Sequence, residues 1–104
     1  MAFSSTVLYP KNKESTFDME YYLNTHMPLV HEVWGPSGMQ GWQVIKYDAN
    51  VGVPFSVAAI LTWKDEASYE AGRSSPRTPE IFADIPKFSN ETPLFLSGAM
   101  FTSK

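Results

Sequence analysis

A proline falls inside what otherwise reads as an amphipathic helix. The run Phe17-Asp18-Met19-Glu20-Tyr21-Tyr22-Leu23-Asn24-Thr25-His26-Met27-Pro28-Leu29-Val30, continued to Val33, spaces Tyr22, His26, Leu29 and Val33 by four, three and four residues, which marks one helical face. Pro28 has no N–H to donate, and its ring crowds the carbonyl of Asn24 four residues back. The helix must therefore kink or end there, with some backbone groups left without their usual partners. A histidine and two tyrosines stand on the turns just before the break. No other segment offers as good a place to hold an ionisable group against a small ligand.

The remaining elements follow from alternation and turn chemistry. Phe3 to Tyr9, stopped by Pro10, predicts a first strand. Ser15 or Thr16 is placed to cap the helix, Asp18 and Glu20 complement its dipole, and Gly35-Pro36-Ser37-Gly38 ends it. Trp42 to Tyr47 alternates as a second strand, with Trp42, Val44 and Lys46 on one side. Asp48 to Pro54 is a loop with Asn50 and Gly52 as turn formers, and Phe55 to Trp63, the most continuously apolar strand, belongs centrally in the sheet. Asp65 caps a second helix through Gly72, and Thr78-Pro79-Glu80 opens a short one with a cap and a proline at its first position. Ile85 to Pro93 is irregular. Leu94 to Phe101 is the last strand, where Gly98 marks a bulge or a close backbone approach.

The order β-α-β-β-α-β is the ferredoxin-like arrangement, an α+β fold with a four-stranded antiparallel sheet and both helices on one face. A chain of 104 residues accommodates it as one domain, 1–104, with a modest core. The other sheet face is left uncovered. Phe95 and Phe101 fall on one register of the last strand, and Leu94, Leu96 and Met100 on the other, so neither face is cleanly polar. A large apolar face calls for a partner, and the simplest is a second copy docked sheet to sheet. Seven Phe, five Tyr and three Trp exceed what so small a core takes in, so some should line a pocket or an interface.

Charge and composition exclude several classes. The net charge is −3, and the densest basic pair, Lys11 and Lys13, is followed at once by Glu14, which argues against nucleic acid. With no cysteine, disulfides, thiol catalysis and thiolate metal sites are removed. The N-terminus shows no charged-then-apolar leader, and the longest apolar run, Val57-Ala58-Ala59-Ile60-Leu61, is far short of a membrane span. The expected setting is the cytoplasm, with no membrane partner.

Val7-Leu8-Tyr9-Pro10, Thr16-Phe17-Asp18, Tyr22 and His26-Met27-Pro28-Leu29, together with the element order over the whole chain, resemble the EthD-like family of the dimeric α+β barrel group. The resemblance implies a homodimer whose two sheets form one barrel, with a small cavity in each subunit between sheet and helices. Related barrels include cofactor-free monooxygenases of aromatic polyketides, lactone-forming isomerases and stress-type proteins. The name-giving member accompanies a cytochrome P450 system in ether degradation, and some fungal relatives are linked to decarboxylation or dehydration. What the resemblance implies for this chain is a cofactor-free enzyme, of oxidoreductase or lyase type, or an auxiliary protein of oxidative or aromatic metabolism. The alternative is a non-catalytic ligand-binding or structural dimer. Fold constrains chemistry weakly, and of the family's functional positions only His26 is carried over.

His26 is the catalytic candidate, because an imidazole in a partly apolar pocket exchanges protons near neutral pH. Tyr22, one turn before it, could orient the ring or bind a ligand carbonyl. Tyr9, Trp63 and Met100 complete an expected apolar cavity for a flat aromatic ligand, with binding sensitive to pH near 6.5. His31 follows His26 by five residues, whereas helical zinc sites favour three or four, so no metal is expected. No phosphate loop, dinucleotide fingerprint or nucleophile elbow is present, and no cofactor is expected. Arg73 and Arg77 flank a Ser/Pro loop, where they either meet an anionic ligand or simply face solvent.

Overall fold

The alternating segments become one sheet. The computed structural model describes residues 1–49 and 52–102, so Asn50 of the expected turn lies outside the described residues. Strands β1 (Phe3–Pro10), β2 (Met39–Lys46), β3 (Phe55–Trp63) and β4 (Leu94–Ala99) pair antiparallel in the order β2-β3-β1-β4. β3 is internal, as its apolar run predicts. Phe3, Ser5, Val7 and Tyr9 of β1 stand opposite Trp63, Leu61, Ala59 and Val57. Most of this set is buried and forms the floor of the core.

The barrel implied by the resemblance is not what the chain forms. The sheet is open, with β2 and β4 as its edges. Four strands turn through too little arc to meet, since small closed barrels take about eight. The β4 edge is solvent-exposed throughout its length.

The proline is absorbed by a widened turn. Helix α1 (Met19–Tyr21) passes into a π-helical turn, Tyr22–His26, closed by the Met27 N–H donating to the Tyr22 carbonyl. Helix α2 (Met27–Trp34) then resumes with Pro28 in its first turn, where a missing N–H costs little. The extra residue turns Tyr22, His26, Met27, Val30, Val33 and Trp34 toward the sheet and leaves Leu29 only half-buried. The cap is Asp18, whose Oδ1 accepts from the Tyr21 N–H at 3.0 Å. Ser15 and Thr16 are diverted into loop contacts with Glu91 and Asn90.

Helix α3 (Glu66–Arg73) is capped by Asp65 as expected, through Ser68 N–H at 2.8 Å. Helix α4 (Thr78–Asp84) is followed by a 3₁₀ turn, Ile85–Lys87, that the sequence left irregular. Thr78 does not cap it. Its hydroxyl donates to the Gly72 carbonyl at 2.6 Å and accepts from Trp34 Nε1–H at 3.0 Å. Gly98 makes no bulge: it sits in register opposite Ser4 with open space around it. A close approach on the core side is at Gly72, where a Cβ would stand 2.6 Å from the Trp63 ring. Among the described residues no helix is long and apolar enough to cross a membrane.

Candidate functional site

The π-helical turn aims His26 inward at the end of α4. His26 and Asp84 are both buried, and Nδ1 lies 2.9 Å from Asp84 Oδ2. The other carboxylate oxygen accepts from the Tyr21 hydroxyl at 2.7 Å, with Lys87 Nζ at 3.8 Å. Burial alone would raise the Asp84 carboxyl, but the Tyr21 hydroxyl, His26 and Lys87 together hold it below the usual range. An ionised Asp84 can only accept, so His26 Nδ1 carries the proton and Nε2 is the free nitrogen of the neutral ring. The His26 pKa is lowered from 6.5: burial penalises the imidazolium by more than Asp84 favours it. The expected transition near 6.5 is thus corrected downward.

Aromatic rings fix the imidazole. Tyr22 stacks on it at 5.3 Å between centroids and Phe88 tilts over it at 4.5 Å. Tyr9 and Phe17 close the same cluster edge-on. Burial pushes the Tyr9 phenol up, reinforced by the Tyr22 hydroxyl, and burial pushes up Tyr22, so both remain protonated at neutral pH. Among the described residues no side-chain nitrogen or oxygen is both sealed from solvent and unpartnered. Nε2 has no hydrogen-bond partner among the described residues, so it touches space that water can enter.

That space is an apolar cleft between α2, α4 and the sheet, bordered by Tyr9, Tyr22, His26, Val30, Ile81 and Phe95. Its free volume is about 20 Å³, room for about one water molecule. The structure thus brings together three of the expected site residues, Tyr9, Tyr22 and His26. Trp63 is not among them. It is fully buried, its indole N–H donates to Ser5 Oγ at 3.0 Å, and its ring packs on Trp34 and Tyr69. Met100 lies beyond β4, tied by its backbone N–H to Ala2. Asp84 and Phe88 were not foreseen, and Tyr21 was noted before the break without a role. One signal for Asp84 was available: it ends α4, where the helix dipole disfavours a carboxylate, and a locally unfavourable charge is a mark of a functional or compensated position.

No protein-family model matches this chain, and no curated protein does. Solved structures match over nearly its whole length. The crystal structure of an EthD-like protein from Ralstonia eutropha JMP134 is similar with a TM-score of 0.84 and 22% identity, covering 99% of this chain and 95% of that one. SnoaB, a cofactor-independent oxygenase from Streptomyces nogalater, matches at 0.67 and 8% identity over 98% and 94%. A dimeric ferredoxin-like protein of unknown function from Thermobifida fusca YX matches at 0.63 and 11% identity over 96% and 92%. These likenesses establish the class: a ferredoxin-like α+β protein with the fold of EthD-like proteins. The same fold carries an oxygenase that works without a cofactor and a dimer with no assigned reaction.

Proposed function

We propose that the chain is one EthD-like domain acting without a bound metal or organic cofactor in oxidative or aromatic metabolism, with His26 Nε2 as its proton-transfer atom. One observation carries this reading: a buried, carboxylate-anchored imidazole that borders an apolar cleft and whose second nitrogen has no partner among the described residues. Neutral His26 takes the proton from a carbon beside a carbonyl. The C–H electron pair becomes the C=C bond as the carbonyl π pair moves onto oxygen, giving an enolate, and Asp84 stabilises the imidazolium through Nδ1–H. Tyr22, un-ionised, supplies a hydroxyl donor for a ligand oxygen, and Tyr9 borders the same cleft beside it. Proton transfer beside an apolar wall is shared by dehydration, decarboxylation and oxygenation, and the last is the activity named for SnoaB. The acting unit is a homodimer, as the dimeric Thermobifida protein of the same fold supports, and its contact is assigned to the outer sheet face because Leu94 and Leu96 stand exposed there.

The free volume of about 20 Å³ favours a second reading, a non-catalytic dimer in which His26 is a satisfied core residue. Exchange of α-protons in D₂O, followed by NMR over a panel of aromatic ketones, separates the two. Exchange that is lost in His26→Gln supports the first reading. No exchange, or exchange unaffected by the substitution, leaves the second.

A further inference from the structure

The His26 cleft shares a wall with a second, larger groove. Val7, Trp34, Phe82 and Phe95 border the cleft, and the same four residues border the groove, which has a free volume of about 290 Å³. That groove runs on to Ser5, Tyr69 and Arg73. Its size is close to the lower end of small-molecule pockets, about 300 Å³, which the cleft alone falls far short of.

Phe82 and Phe95 stand on the shared border with ring centroids 5.7 Å apart and planes at 89°. They are 45% and 52% exposed, so either ring can change rotamer without opening a void in the core. The far end of the groove is polar. Arg73 ends α3, its guanidinium carbon 5.6 Å from the Tyr69 ring centroid, and its one ion pair among the described residues is a long 3.4 Å contact with exposed Glu70. Ser5 Oγ accepts from Trp63, so its own proton is left to donate. Among the described residues no carboxylate lines the groove.

We propose that this groove binds the body of a planar aromatic ligand bearing a carboxylate at the end away from His26. Arg73 and Ser5 hold the carboxylate, Tyr69 and Trp34 flank the ring system, and Phe82 and Phe95 swing aside so that the other end reaches the His26 cleft. Arg73 thus has a role that sequence alone left divided between ligand and solvent. The placement of the reacting end rests on the proton-transfer reading, whereas the carboxylate anchor stands apart from it.

The test is calorimetric and NMR titration of the full chain with naphthoate and its neutral isostere naphthamide. Naphthoate should bind at least about tenfold more tightly, as a charge-assisted hydrogen bond predicts. Arg73→Gln should abolish that ratio and Arg73→Lys keep part of it, with the ligand shifting Phe82 and Phe95 ring signals. His26→Gln should leave the ratio intact even if it stops proton exchange, so the two readings fail separately. Equal binding of the pair, binding of neither, a ratio that survives Arg73→Gln, or shifts that map to another surface would overturn the proposal.

Discussion

His26 and Asp84 are 58 residues apart in sequence and share a buried contact of 2.9 Å between Nδ1 and Oδ2. The contact joins the turn that accommodates Pro28 to the C-terminal end of α4. It therefore ties both sequence halves of the fold together and fixes which ring nitrogen is free.

Asp84→Asn should change the imidazole more than the backbone. An amide can offer its N–H or its oxygen to Nδ1, so the ring loses its single tautomer. Nitrogen-15 spectra of wild type should show Nε2 unprotonated at neutral pH, and the variant should show a mixture or the reverse. Asp84→Ala, which leaves the buried Nδ1–H without an acceptor, should cost about 1–3 kcal/mol of stability in urea unfolding. An unchanged tautomer in Asp84→Asn would remove the positioning role given to the carboxylate.

Acid should weaken the fold in two stages. The His26 pKa is depressed on folding, so below about 6.5 the unfolded ring takes a proton that the buried ring refuses. The unfolded state then binds more protons, and stability falls as pH falls, until the folded ring titrates. Asp84 is also depressed, so the stability it adds is present above about 3.9 and is lost as pH drops through its folded value. Urea midpoints measured between neutrality and pH about 5 should decline in wild type and decline less in His26→Gln. Equal slopes would show that this ring does not couple folding to pH.

Tyr21→Phe should move only the second stage. Its hydroxyl donates to Asp84 Oδ1 at 2.7 Å and is the largest influence holding that carboxyl down. Without it the Asp84 pKa rises, and the acid unfolding midpoint should move to higher pH. A midpoint that stays put would assign the depression to His26 and Lys87 instead.

The sheet was legible because period-two alternation and turn residues are local signals. Phe55–Trp63 is central for the reason its apolar run predicts, and Asp65 caps α3 as read. The departure at Pro28 was legible too, since a missing N–H is a local fact. Its form was not: a π-helical turn depends on what the widened backbone packs against, here Tyr9 and Phe88 from other elements. Asp84 and Phe88 were hidden for the same reason, because nothing within a few residues of either shows that it will meet His26. A flat indole suits stacking on a ligand, which points to Trp63 at the cavity, whereas a central-strand tryptophan with a hydroxyl in reach is more easily buried whole.

Two glycines should respond in opposite ways to alanine. At Gly72 an added Cβ would lie 2.6 and 2.7 Å from Trp63 ring atoms and 3.3 Å from Trp34, and Trp63 has no room to retreat. Gly72→Ala should destabilise by about 2 kcal/mol or more, by the cost of overpacking a filled core. At Gly98 nothing lies within 4 Å, so Gly98→Ala should be neutral or slightly stabilising through the unfolded chain. Thermal unfolding of the two variants checks both, and a well-tolerated Gly72→Ala would mean that α3 can lift off the sheet.

The outer sheet face should hold a second copy of the chain. Cross-strand register places Leu94 beside Leu8, Leu8 beside Ala58 and Ala58 beside Ile45, while Leu96 and Ile60 flank Thr6. Leu94 and Leu96 are 51% and 58% exposed in the single chain, and the helices lie on the other side. An isologous contact would set this uncharged patch against itself, with a total buried area above about 1,200 Å². Sedimentation at micromolar concentration should therefore give a dimer for wild type. Leu96→Glu would force two carboxylates into that contact and should give a monomer. Its circular dichroism should stay native, because the side chain is more than half exposed in the single chain. A wild type that sediments as a monomer, or a Leu96→Glu variant that remains a dimer, would move the partner off this face and leave its leucines unexplained.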